Sequence, residues 1–237
     1  NMSNFVDILE KVNTIRSRVA EAAVLSGRKP EDITLMAATK TQNPDTVRAV
    51  IRAGVDAVGE NRVQELMEKQ KEGAYEGVPL HFIGSLQSNK AKYIVGLCAL
   101  IHSVDSLSLA AEIHRQAVKK GICQPVLVEV NIGLEESKGG VRPEDLKTFL
   151  EKLKDYPSLL VQGLMTIPPK AEKPEDSRPY FKRMKVLFEE AKSWEGYSGM
   201  TVLSMGMSED YVVAVEEGST LIRPGTAIFG PRVYTKT

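Results

Sequence analysis

A TIM (β/α)8 barrel with an additional N-terminal helix is the α/β fold this sequence predicts. Apolar, β-branched runs alternate with amphipathic stretches from end to end, and that alternation argues for parallel strands joined by right-handed crossovers. Eight such units can be traced. The chain of 237 residues matches one barrel domain and is long enough to bury a full core. An open doubly wound sheet is the alternative. Against it, the first strand runs into Thr41-Gln42-Asn43-Pro44 rather than a glycine-rich turn. No internal repeat or interdomain linker breaks the pattern, so residues 2–237 read as a single domain.

The elements follow in order. A helix over 4–26 places Phe5, Ile8, Leu9, Val12, Ile15 and Val19 at helical spacing, and Gly27 ends it. The first strand is 33–40. Pro44 and Asp45 start a helix that stops at Gly54. A short strand, 57–60, precedes a helix carrying Val63, Leu66 and Met67. Strand three is 80–84, followed by a helix over 89–96. Strand four is 100–104, with a longer helix over 107–120. Strand five, 126–132, is a β-branched run suited to burial on both faces. Pro143 opens the next helix, which ends before Pro157. Strand six is 159–167, followed by the helix 179–194. Strand seven is 201–205, a short helix covers 210–217, and strand eight is 221–229. The loop 168–176 reads as a solvated connection.

Composition narrows the function classes. The 31 basic and 31 acidic residues cancel, which argues against a nucleic-acid or anionic-membrane partner. Cys98 and Cys123 and the three histidines, His81, His102 and His114, show no metal-ligand spacing. No apolar run is long enough to span a bilayer, and no secretory signal is visible, so a reduced cytoplasmic protein is the economical reading.

In this fold the site gathers at the C-terminal ends of the strands. Lys40 closes the apolar run Ile33-Thr34-Leu35-Met36-Ala37-Ala38-Thr39. A desolvated lysine is an amine nucleophile toward aldehydes. A lysine snorkelling from a strand end is the commoner reading of Lys40 taken alone. After strands seven and eight, Ser204-Met205-Gly206-Met207-Ser208 and Arg223-Pro224-Gly225-Thr226 are small-residue junctions suited to cradling a phosphate. Ser208 reads equally as the N-cap of the following short helix. An aldehyde that also carries a phosphate points to pyridoxal 5′-phosphate. Arg223 should face the barrel mouth, where its guanidinium would keep a pyridine nitrogen unprotonated; the alternative is a salt bridge to a carboxylate such as Glu60.

Several segments carry a resemblance. They are Ala38-Thr39-Lys40-Thr41, Gly59-Glu60-Asn61-Arg62-Val63-Gln64-Glu65 and His81-Phe82-Ile83-Gly84-Ser85-Leu86-Gln87-Ser88-Asn89-Lys90. They continue with Gly163-Leu164-Met165-Thr166-Ile167-Pro168, Ser204-Met205-Gly206-Met207-Ser208 and Arg223-Pro224-Gly225-Thr226-Ala227-Ile228-Phe229-Gly230. Together they resemble the pyridoxal phosphate homeostasis protein family, over essentially the whole chain. That family is similar to the barrel domain of alanine racemase. The resemblance implies Lys40 as the Schiff-base lysine, with Ser208, Gly225 and Thr226 on the phosphate and Met207 lining the site. It also implies Arg223 facing the pyridine nitrogen, and Asn61 and Met165 near the ring. Thr39 stands where many members carry Ser, and Gln42 where some carry Lys.

The resemblance implies a non-catalytic carrier that holds, buffers and delivers pyridoxal phosphate, with apoenzymes as recipients. A racemase of the alanine racemase type is the alternative, and an aldolase-type Schiff-base barrel a weaker one. Two-base racemization needs a proton donor on each face of the ring. Lys40 could serve one face, and no opposing base is evident, with Tyr211 and His81 left open. The sequence leaves no room after strand eight for the second domain of the racemases. A monomer is expected, with a dimer as the alternative. Lys138 reads as a solvated lysine.

Overall fold

The structure is a computed structural model that describes residues 2–231; the last six residues of the expected domain lie outside the described residues. Eight parallel strands close in sequence order: β1 (Thr34–Ala38), β2 (Ala57–Glu60), β3 (Leu80–Phe82), β4 (Leu100–Val104), β5 (Gln124–Glu129), β6 (Leu159–Met165), β7 (Val202–Ser204) and β8 (Leu221–Ile222). β8 closes the ring by pairing with β1. The fold is the (β/α)8 barrel expected from the sequence.

Around it run α1 (Met2–Leu25), α2 (Pro44–Arg52), α3 (Val63–Lys71), α4 (Ala91–Ile94), α5 (Leu107–Lys120), α6 (Leu146–Leu153), α7 (Arg178–Lys192), α8 (Tyr211–Glu216) and α9 (Thr226–Phe229). Local sequence explains several starts. The Asn43 side chain accepts from the Thr46 amide at 2.8 Å, with Pro44 in the first turn of α2. Ser106 caps α5 by accepting from the Leu109 amide at 3.2 Å. Among the described residues, no helix is long and apolar enough to cross a membrane.

Strand alternation divides the core. Leu35, Ala37, Val58 and Phe82 pack outward under the helices. Met36 and Ala57 fill one interior cluster, and Leu100, Leu127 and Met165 another. The additional helix α1 buries Ile8, Val12, Ile15 and Val19 and packs on α2, α8 and α9, so it covers the closing seam of the barrel.

Four expectations need correction. Strand one ends at Ala38, because Thr41 turns the chain at a φ of 68°. The helix expected over 89–96 is one 3-10 turn followed by four α-helical residues. Strand six stops at Met165 rather than 167. Strand eight covers only Leu221–Ile222: Pro224 has no N–H to extend the ladder, and Ala227, Ile228 and Phe229, apolar enough to read as strand, form the turn of α9.

Candidate active site at the barrel mouth

The chain turns after β7 and β8 and encloses a cavity of about 270 Å³. Met207, Ser208, Arg223, Gly225 and Thr226 all line it. The Ser208 hydroxyl accepts from the Gly225 amide at 3.0 Å and the Ala227 amide at 2.9 Å. It therefore ties the two junctions together instead of capping its own helix, as the sequence alternative had it. The cap of the 206–211 turn is Asp210, whose carboxylate accepts from the Met207 amide at 2.8 Å. Gly206 holds a φ of 105°, and a Cβ there would lie 2.7 Å from the Ala214 Cβ, so only glycine lets this turn fold over α8. A Cβ on Gly225 would come within 3.2 Å of the Ala38 carbonyl, at the edge of the same cavity.

Lys40 sits half-buried in the turn after β1, two residues past Ala38, which lines the cavity. Its neighbours are held by a buried charged cluster on the outer side of the barrel. Lys69 of α3 donates to Glu60 at 2.8 Å, to Glu65 at 2.6 Å and to the Thr39 carbonyl at 2.9 Å. Glu60 Oε2 also accepts from the Thr39 hydroxyl at 2.9 Å and Tyr75 at 2.7 Å. Glu65 accepts from the Thr41 amide at 2.7 Å, which steadies the left-handed residue beside Lys40. Burial pushes the Glu60 carboxyl up from its usual range, against the opposing pull of Lys69. The segment 59–65 thus supports the lysine turn from behind.

Arg223 is 2% exposed. It donates to the Ser204 hydroxyl and to the Thr166 carbonyl, the latter at 3.2 Å. The alternative partner Glu60 is engaged elsewhere, by Lys69. Burial brings the Arg223 guanidinium down to about 10, opposed by Asp210 and Glu129. It therefore stays charged near neutral pH. Glu129, at the end of β5, is pushed up to about 7 by burial and by Asp105, against Arg223 and Lys138.

The cavity brings together five of the eight expected site residues. Asn61 stands at the end of β2, and its Oδ1 is buried with no partner. A Cβ on Gly84 would lie 2.1 Å from the Asn61 carbonyl, so Gly84 lets the β3 turn press against this residue. Met165 is 1% exposed and packs in the interior layer with Leu100 and Leu127, not in the cavity wall. Lys138 is exposed, as expected, and also lines the cavity while pairing with Glu135 at 3.2 Å. One expectation about a loop is corrected. The 168–171 part of the connection expected to be solvated forms another wall. Behind Arg223 lie groups that sequence spacing did not single out. His102 Nδ1 is 3.0 Å from Ser204 Oγ, and His102 Nε2 is 2.9 Å from His81 Nδ1. Their signal is strand parity: both histidines take interior positions on adjacent strands.

Fold and mouth together define a barrel of the alanine racemase N-terminal class, and the family described as "Alanine racemase, N-terminal domain" matches residues 12–233. The chain belongs to the pyridoxal phosphate homeostasis protein family. It is 45% identical to the pyridoxal phosphate homeostasis protein of Aquifex aeolicus, over 95% of this chain and 98% of that protein. The Escherichia coli K12 protein of that name is 35% identical, with 97% and 99% covered. PipY of Synechococcus elongatus, solved with pyridoxal phosphate bound, superposes with a TM-score of 0.82 at 33% identity, over 94% of this chain and all of that one. Alanine racemase of Clostridium difficile shares the fold, with a TM-score of 0.75 at 16% identity; 60% of that chain is covered.

Proposed function

We propose that this chain holds pyridoxal 5′-phosphate in the barrel mouth through a Schiff base to Lys40, and buffers and delivers it to apoenzymes. The observation that carries the reading is the tie between the two junctions. Ser208 gathers the Gly225 and Ala227 amides at one end of a cavity that has a charged guanidinium in its wall. The donor set fits the group: the Ser208 and Thr226 hydroxyls for a phosphate, a charged guanidinium donor for a ring nitrogen, and, at the end of β2, a buried Asn61 Oδ1 without a partner. When bound, the cofactor supplies an aldehyde carbon for amine capture and an electron-withdrawing ring.

Each residue then has a task. Ser208, Gly225 and Thr226 bind the phosphate, and Met207 packs against the cofactor from the cavity wall. The Glu60–Lys69 cluster orients the turn that presents Lys40. Asn61 borders the ring, and Met165, packed with Leu100 and Leu127, backs the site from the interior layer. Arg223 donates to the ring nitrogen and cannot give up a proton to it near neutral pH, so the ring is a weak electron sink. Holding rather than turnover follows from that choice of partner.

The purified protein loaded with pyridoxal phosphate is expected to show a visible absorption band that borohydride bleaches, and Lys40→Ala is expected to lose it. The same adduct on the Lys40→Ala chain would remove the assignment. Thr226→Val should weaken pyridoxal phosphate by about tenfold or more, for one lost hydrogen bond to a charged group. Equal affinity for pyridoxal and its phosphate ester would rule out the cup. Incubation with L- or D-alanine should give no racemization at ordinary enzyme rates of about 1 per second; turnover at that rate would restore the racemase reading.

A further inference from the structure

Barrel interiors are normally filled by apolar side chains in layers. Here a polar thread crosses from one side of the barrel to the other: Arg223 after β8, Ser204 on β7, His102 on β4 and His81 on β3. His102 and Ser204 are fully buried, and His81 is 7% exposed. Burying such groups is costly unless every donor and acceptor is matched, so the thread calls for a strict accounting.

That accounting has one solution. Arg223 has donors only, so Ser204 Oγ accepts from it. The hydroxyl keeps one proton. Given to His102 Nδ1, 3.0 Å away, it makes that nitrogen the acceptor. His102 then carries its proton on Nε2 and donates to His81 Nδ1, 2.9 Å away. His81 in turn carries its proton on Nε2. Its ring lines a second cavity, of about 460 Å³, at the N-terminal end of the barrel, beside Asp56, Gln162 and Thr201. The reverse polarity would place a proton on His102 Nδ1 and leave the serine hydroxyl without an acceptor. Both rings are neutral: burial holds His81 down at about 4 and His102 well below the usual imidazole range.

We infer that Ser204, His102 and His81 are positioning residues for Arg223, forming a hydrogen-bond chain of one polarity that fixes the guanidinium with its remaining donors toward the mouth. The chain contains no carboxylate. It orients the guanidinium from behind, while the nearby carboxyls of Asp210 and Glu129 favour its charged form, so a charged donor faces whatever nitrogen heterocycle occupies the cavity. The consequence for the cofactor rests on the function proposed above; the polarity of the chain does not.

Two measurements test it. Nitrogen-15 correlation spectra of the unsubstituted protein, without added cofactor and at neutral pH, should show His102 and His81 both neutral and both protonated at Nε2. A proton on Nδ1 of His102, or a charged ring, would overturn the inference. In Ser204→Ala the His102 ring should lose its fixed tautomer, and Ser204→Thr, which keeps the hydroxyl, should restore it. Titration with pyridoxal phosphate should show Ser204→Ala weakened about tenfold, with recovery in Ser204→Thr. Unchanged affinity in Ser204→Ala would end the positioning role. If Ser204→Ala does not fold, the tautomers of the unsubstituted protein decide. If the unsubstituted protein binds no pyridoxal phosphate, the proposed function falls, and the tautomers still decide the chain.

Discussion

Glu60 and Glu129 each close a barrel strand, and the protein treats them in opposite ways. Glu60 points outward beneath α3, where Lys69, Tyr75 and the Thr39 hydroxyl converge on one carboxylate oxygen. Glu129 ends β5 near Asp105 and Arg223, where burial and a second carboxyl raise it to about 7. The outer carboxyl is a fixed anchor, surrounded by donors and tied to the Lys40 turn. The inner one changes charge near neutral pH. Backbone geometry is thus secured by a carboxyl held by several donors on the outer layer, while the mouth keeps a carboxyl whose ionisation responds to pH.

The largest expected effect comes from breaking the anchor. Lys69→Met leaves Glu60 buried without its cation and should cost about 3–5 kcal/mol of stability, measured by denaturant unfolding. A loss below about 1 kcal/mol would show that Glu60 is protonated and the pair is not ionic.

Glu129→Gln should act through pH. The folded-state carboxyl titrates near 7 against 4.5 when free, so the folded chain holds the extra proton between those values. Stability contributed by Glu129 is therefore full below about pH 4.5 and is lost as pH rises toward 7. At pH 8 the glutamine variant should be more stable than wild type by up to about 3 kcal/mol, with the difference vanishing near pH 4.5. Parallel stability curves across that window would mean Glu129 is as easily ionised as a solvated carboxyl. Tyr75→Phe should give the smallest effect. One of several donors to Glu60 is removed, for about 1–2 kcal/mol. A cost equal to that of Lys69→Met would put the phenol, not the ammonium, at the centre of the cluster.

The barrel was legible because its signal is spread over the whole chain: each strand–helix unit repeats the same change of period, and one misjudged boundary does not alter the count. The residues that line the cavity after β7 and β8 were legible from small residues at two junctions. What escaped was whatever depends on a neighbour distant in sequence. Ser208 reads as a helix cap until the β8 turn is folded against it, 17 residues on. The apolar run Ala227-Ile228-Phe229 reads as strand until Pro224 ends the ladder. His81 and His102 stand 21 residues apart and match no ligand spacing, and only the register of β3 on β4 makes them partners. Glu129 carries no signal in the sequence, because neither Asp105 nor Arg223, which act on it in the fold, is near it along the chain.

The clasp of α1 over the seam has a consequence for biosynthesis. Residues 2–25 leave the ribosome well before α8 and α9, whose surfaces they cover. At roughly 5–20 residues per second, the stripe of Ile8, Val12, Ile15 and Val19 waits about 10–40 s for those partners. β1 waits as long for β8. Ring closure then joins β1 to β8 across most of the described residues, the slow kind of contact in a folding reaction. The nascent chain offers an apolar helix to chaperones until α8 and α9 emerge, and closes its barrel only once β8 has been made.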